Sequence, residues 1–161
     1  MGNPALITDS ASELRDALPE GGALLGLDLG TKTIGVATSD AGWRFATAGK
    51  TLARGKFGRD REAFAALIKE RAVKAIVIGL PLNMDGSEGP RAQSARAYAR
   101  NLSEAFDLPV LLWDERWSTQ SAESALIGQD ISRAKRAEKI DSHAAAVILQ
   151  GALDALAGNA L

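Results

Sequence analysis

Residues 24–40 read LLGLDLGTKTIGVATSD, the pattern of a β-hairpin. Ala23–Leu29 is apolar apart from Asp28 and reads as a strand. Gly30, Thr31 and Lys32 supply a tight turn. The β-branched run Thr33–Ser39 (TIGVATS) then reads as a second strand returning beside the first. This hairpin carries one anomaly. A carboxylate in an apolar strand is costly unless it is hydrogen-bonded, paired or bound to a metal, and Asp28 stands where a Val or Ile would be easier to bury. Side chains alternate along a strand, so Asp28 shares its face with Gly26 and Gly30. Those glycines are expected to leave room for an ion or a ligand. The alternative is a structural Asp hydrogen-bonded to the turn that follows it.

Working outward, Trp43–Leu52 reads as a third strand that completes an antiparallel meander. Arg54–Arg61 reads as a basic loop. Apolar residues at Ala63, Phe64, Leu67 and Ile68 mark a helix from Asp60 or Arg61 to Arg71. Lys74–Leu80 (KAIVIGL) is the continuous apolar run of a strand covered on both faces. Pro81–Gly89 is a turn-rich loop, and Pro90 suits the first turn of a helix running to about Phe106. Asp107-Leu108-Pro109 ends that helix, and Val110–Asp114 is a further strand. Ser118–Ile127 reads as a helix capped by Ser118, Gly128–Lys139 as a polar, basic stretch, and Ile140–Leu156 as a final apolar helix. Ahead of the hairpin, Ser10 or Ser12 can cap a short helix through Leu18, which Pro19, Gly21 and Gly22 stop.

A meander followed by βα alternation predicts an α/β fold. It has a five-stranded mixed sheet, antiparallel meander plus parallel strands, with helices on both faces. The expected organisation is an N-terminal extension over 1–22, one domain over 23–157 and a tail over 158–161.

Composition bounds the function. The chain has 161 residues, enough for one domain with a proper core. Hydrophobic residues make up 46% and charged residues 24%, the balance of a soluble globular protein. No apolar run approaches the roughly 20 residues that span a bilayer. The opening MGNPALITDS lacks the basic segment and hydrophobic core of a signal peptide. With no cysteine, disulfides and thiolate metal sites are excluded, in keeping with a reducing cytoplasm. A net charge of −1 does not advertise a nucleic-acid binder, so any such role must come from local basic patches.

Two further acids join Asp28. Glu115 follows the strand VLLWD, at the carboxyl end where open α/β sheets usually bind ligands; the alternative is a solvated acid paired with Arg116. Asp141 opens KIDSHAAAV, either as an N-cap of the last helix or on its first turn above the sheet. Taken together, the three acids point to oxygen ligands converging on a hard cation, Mg²⁺ or Mn²⁺. Three close carboxylates repel one another without such an ion. One His and no Cys argue against a typical zinc site.

Four segments, LLGLDLGTKTIGVATSD, AIVIGLPLNMDGSEGPRAQSARAYARNL, WDERWSTQSAE and KIDSHAAAVILQGAL, resemble in order the YqgF family, also called RuvX. The resemblance covers about residues 23–156. It implies an RNase H-like fold, similarity to Holliday-junction resolvases, and a bacterial nuclease that matures the 5′ end of pre-16S ribosomal RNA. It also carries the family's acids onto Asp28, Glu115 and Asp141, and sets Asn83 and Asp85 in a hallmark loop near the cleft. Trp117 stands where Leu is more usual, and the lead of 22 residues is longer than in compact members.

On this basis the expected chemistry is two-metal phosphodiester hydrolysis, Asp28 bridging the ions and Glu115 and Asp141 flanking them. Eight of the 19 basic residues fall in two stretches, Arg54, Lys56, Arg59 and Arg61, and Arg133, Lys135, Arg136 and Lys139. With Arg116 they are candidate phosphate contacts. The expected partners are nucleic acid, pre-rRNA first, and ribosomal precursor particles, with the chain a monomer or homodimer. A structured-DNA resolvase is the nearest alternative. An ATP-binding actin/sugar-kinase-like domain is another, because Asp28–Thr33 resembles that superfamily's phosphate hairpin; such enzymes normally need two domains. The third is a non-catalytic ribosome-assembly factor.

Overall fold

The computed structural model describes residues 6–115 and 133–157, with side chains in the second segment described from residue 143 onward. A two-residue strand β1 (Ile7–Thr8) leads into helix α1 (Ala11–Ala17), whose N-cap Ser10 accepts from the Glu13 N–H. The hairpin follows as β2 (Leu24–Leu29) and β3 (Thr33–Ser39), closed by the Gly30 N–H donating to the Thr33 carbonyl at 2.8 Å. Next come β4 (Ala46–Ala53), α2 (Phe57–Arg71), β5 (Ala75–Leu80), α3 (Pro90–Phe106), β6 (Val110–Asp114) and α4 (Arg133–Leu156).

The sheet is mixed, with strand order β1-β6-β5-β2-β3-β4. It has six strands rather than the expected five, because part of the N-terminal lead pairs into it. Ile7 and Thr8 lie parallel to Val110 and Leu111, and Leu14 of α1 is fully buried. β2, β5 and β6 run parallel, while β3 and β4 form the antiparallel meander. All six residues of β5 are buried, as a strand covered on both faces requires.

Alternation along the strands sorts the core into two layers. Leu25, Leu27, Ile76, Ile78, Val110 and Leu112 pack towards α2 and α3, around Phe64, Tyr98 and Leu102. Leu24, Val77 and Leu111 face the other way, towards Leu14 of α1 and Ile148, Leu149 and Leu153 of α4.

Three boundaries differ from expectation. β4 starts at Ala46 because Asp40 draws the preceding segment into a turn, accepting from the N–H groups of Gly42, Arg44 and Phe45. α2 starts at Phe57, inside the supposed basic loop: Asp60 on its first turn is buried and accepts from the Gly55 N–H, while Phe57 packs edge-on to Tyr98 at 5.4 Å. α4 starts at Arg133, seven residues before the expected Ile140. Its RAKRAEK opening is polar, but Ala, Arg, Lys and Glu are strong helix formers. Asp141 is therefore neither a cap nor on the first turn. The expected helix over Ser118–Ile127 lies outside the described residues.

Candidate active site

The carboxyl ends of β2, β5 and β6 form one rim of the sheet, the usual ligand side of an open α/β fold. Leu27 pairs with Ile78 and Gly79 with Trp113, so Asp28 stands level with Gly79, and β6 ends one strand further on. Asp28 and Glu115 both face α4. Asp28 does so by alternation from Leu24. Glu115 shares that face with Ile148 of α4: a Cβ at Gly79 would meet Ile148 Cδ1 at 2.7 Å and Glu115 Oε2 at 3.0 Å.

Two strand spacings separate the β2 and β6 backbones, about 9–10 Å. The missing side chain at Gly79 lets the Glu115 carboxylate lean back over β5, into the gap towards Asp28. On the opposite flank Asp28 is paired with Gly35 of β3. Both lateral neighbours of Asp28 are thus glycines. The glycines of its own strand serve other purposes. A Cβ at Gly26 would meet Leu149 Cβ at 2.8 Å and the Ala145 carbonyl at 3.3 Å, so Gly26 seats α4 on the sheet and does not leave room for a ligand. Gly30 closes the turn.

α4 runs antiparallel to β2: Gln150 Oε1 accepts from the Ala46 N–H, at the end of the sheet where Ser39 meets Leu24, whereas Ala145 lies over Gly26, nearer Asp28. Its backbone therefore passes over the rim, with residue 141 one turn ahead of Ala145. The side chain of Asp141 lies outside the described residues, as do Arg116 and the side chains of Arg133, Lys135, Arg136 and Lys139.

Burial raises the proton affinity of Glu115 above the ordinary carboxylate range. The positive charge of Arg91 opposes that rise, and the adjacent Asp114 adds to it. Such a half-buried, oxygen-only donor suits a hard divalent cation. Among the described residues no group of three or more His, Cys, Asp or Glu could hold a metal; the third acid of the expected set is Asp141.

Arg91 and Arg54 bracket the turn that follows Asp28. Arg91 Nη2 donates to the Leu29 carbonyl at 3.3 Å, and Arg54 Nη1 donates to the next carbonyl, Gly30, at 2.7 Å. Arg54 Nη2 also donates to Ser94 Oγ at 3.3 Å, and its guanidinium lies 5.2 Å from the Tyr98 ring centroid. Arg54 is therefore anchored. Lys56 and Arg59, which the sequence groups with it, are exposed at the entry and first turn of α2. Asn83 and Asp85 build their own loop. Asn83 Nδ2 donates to Ser87 Oγ at 3.0 Å, and Asp85 Oδ1 accepts from Ser87 N and Oγ at 2.9 and 2.6 Å.

A profile of the RuvX family, described as Holliday junction resolvase, matches residues 22–155. The chain belongs to the RuvX family. One relative, from Novosphingobium aromaticivorans, is 70% identical over 96% of this chain and 99% of its own length, and bears the name "Putative pre-16S rRNA nuclease". A relative of the same name from Sphingopyxis alaskensis is 61% identical over 94% of this chain and 99% of its own. Solved structures share the fold. The structure of Thermus thermophilus RuvC aligns with a TM-score of 0.52 at 14% identity, covering 84% of this chain and 96% of that one. RuvC from the same organism in complex with a Holliday junction substrate aligns at 0.54 and 16%, covering 86% and 98%. The fold is accordingly RNase H-like, as the sequence resemblance implies.

Sequence reasoning misses Arg91 and Gly79. Arg91 has a usable signal: it follows Pro90, a helix-opening proline, directly after a parallel strand and its loop, where helix starts face the ligand side.

Proposed function

We propose that this RuvX protein is a divalent-metal-dependent nuclease that hydrolyses phosphodiester bonds, with the 5′ end of pre-16S rRNA as its substrate. The observation that carries the reading is the Glu115 carboxylate leaning over Gly79 towards the Asp28 strand end. Asp28, Glu115 and Asp141 are the residues that would hold Mg²⁺ or Mn²⁺. A metal in such a site lowers the pKa of a bound water and neutralises charge on the scissile phosphate. The chain's own groups prepare the place. Gly35 and Gly79 set no side chain of their own beside Asp28, and Glu115 leans into the gap at Gly79. Partial burial leaves Glu115 poorly hydrated, so a cation gains what water does not supply. Arg91 and Arg54 fix the backbone immediately after Asp28. Lys56, Arg59, Arg116, Arg133, Lys135 and Arg136 are proposed to hold substrate phosphates.

The relatives' shared name favours ribosomal RNA over DNA. The second reading, junction resolution, draws on the family description and the RuvC complex; it needs paired cuts and hence a dimer. The test is cleavage of a 16S precursor with its 5′ leader, single-stranded DNA and a four-way junction, each with Mg²⁺ or Mn²⁺. Wild type should cut the precursor and Asp28→Asn should not. Preferential cutting of the junction selects the second reading, and undiminished cutting by Asp28→Asn overturns the acid assignment.

A further inference from the structure

On the α3 side of the same rim lies a cleft of about 170 Å³, lined among others by Thr31, Arg54, Pro81, Arg91 and Ser94. It is well below the roughly 300–1,000 Å³ of pockets that enclose small organic ligands, so it fits a single charged group better than a nucleotide. Two guanidiniums and two hydroxyls line it. Among the described residues, neither arginine forms a salt bridge with a carboxylate. Each guanidinium has five N–H donors. Among the described residues, the hydrogen bonds of Arg91 use one donor and those of Arg54 two, all to neutral oxygens. Arg54 is held by its two bonds and over the Tyr98 ring, while the exposed Arg91 is tethered by one bond at 3.3 Å. A pinned planar fork loses little freedom on binding an anion. α3 begins at Pro90 and runs 17 residues, with its positive end at the cleft.

We propose that this cleft binds one backbone phosphate of the substrate strand, flanking the scissile phosphate held by the acids. The inference rests on the nuclease reading above and adds a subsite to it. Leu29, which lines the cleft, is the next residue after Asp28, so one strand can engage both places. The cleft then sets the strand's register, and the bond cut is chosen by its distance from a held phosphate and not by base identity.

The test is a binding scan with Asp28→Asn protein and Mg²⁺. The probe is a short 2′-O-methyl RNA carrying one neutral methylphosphonate at each position in turn. One position should weaken binding about tenfold or more, as loss of a charge-assisted contact does. In the Arg91→Gln, Asp28→Asn double variant that penalty should vanish, overall affinity should be lower, and the log–log salt slope should fall by about 1. Arg91→Lys should restore part of it. Ser94→Asp, which places a negative charge in the cleft, should mimic Arg91→Gln and guards against a variant that fails to fold. Unchanged affinity, or a loss spread evenly over all positions with a lower Tm, overturns the proposal and leaves Arg91 as a brace for the Leu29 carbonyl. Wild-type protein that cuts no polymer fails the nuclease reading separately, because the scan reads binding alone.

Discussion

The Glu115 carboxylate rests over Gly79, its Oε2 3.0 Å from where a β-carbon there would stand. Gly79→Ala would press a methyl against both that oxygen and Ile148 Cδ1, each the far end of a flexible side chain. The expected stability cost is about 1–3 kcal/mol. Cleavage per folded molecule should fall at least tenfold, because Glu115 is pushed out of the gap. Urea unfolding and single-turnover cleavage together check this; full activity would show that the tilt of Glu115 is immaterial.

Gly26→Ala separates packing from chemistry. Its methyl would meet Leu149 Cβ at 2.8 Å and a helix carbonyl at 3.3 Å. Neither is a flexible chain end, so α4 itself must lift. The stability loss should exceed that of Gly79→Ala and lie at or above the upper end of the about 1–3 kcal/mol range. Urea midpoints of the two variants decide it, and equal losses would contradict the asymmetry.

Glu115 should cost stability where it gains function. Burial raises its pKa in the fold above the ordinary 4.5. As pH climbs past that value the unfolded chain releases its proton first, so stability falls until Glu115 also ionises in the fold. Glu115→Gln removes this slope. In metal-free buffer the two proteins should melt alike well below pH 4.5 and the variant should melt higher at neutral pH, while cleavage is lost. A variant that melts lower throughout would count against burial as the dominant effect.

Tyr98 donates its hydroxyl to the buried Asp60 at 3.1 Å. Tyr98→Phe leaves that carboxylate with the Gly55 N–H as its remaining partner among the hydrogen bonds described, at an expected cost of about 1–3 kcal/mol. Burial first, then the charge and hydrogen bond of Asp60, raise the Tyr98 pKa from its ordinary 10.0, against the pull of Arg54. Above pH 10 the unfolded phenol ionises before the folded one, so wild-type stability should fall with rising pH there and the variant should lack that part of the fall. Urea midpoints at neutral and alkaline pH check both claims.

The sequence discloses what is local. The apolar run of β5, the Pro90 helix start and the Gly30 turn are read correctly because each is written in consecutive residues. Asp28 and Glu115 are legible as acids at strand ends for the same reason. The lean of Glu115 over Gly79 is not, because it depends on register between strands distant in the chain. Gly26 is misread as a gap because nothing local reveals that α4 lies on it. β1 escapes notice because two residues carry no periodicity, and the start of α4 because a polar helix and a polar loop share one composition.

β1 has a consequence for handling the protein. It occupies the outer side of β6, with Val110 N–H bonded to the Leu6 carbonyl at 2.8 Å. A truncation that begins at the hairpin strips this guard and bares the apolar edge at Val110 and Leu111 to any passing strand. Such a shortened chain should clump on purification, so the lead acts as a built-in shield against self-association.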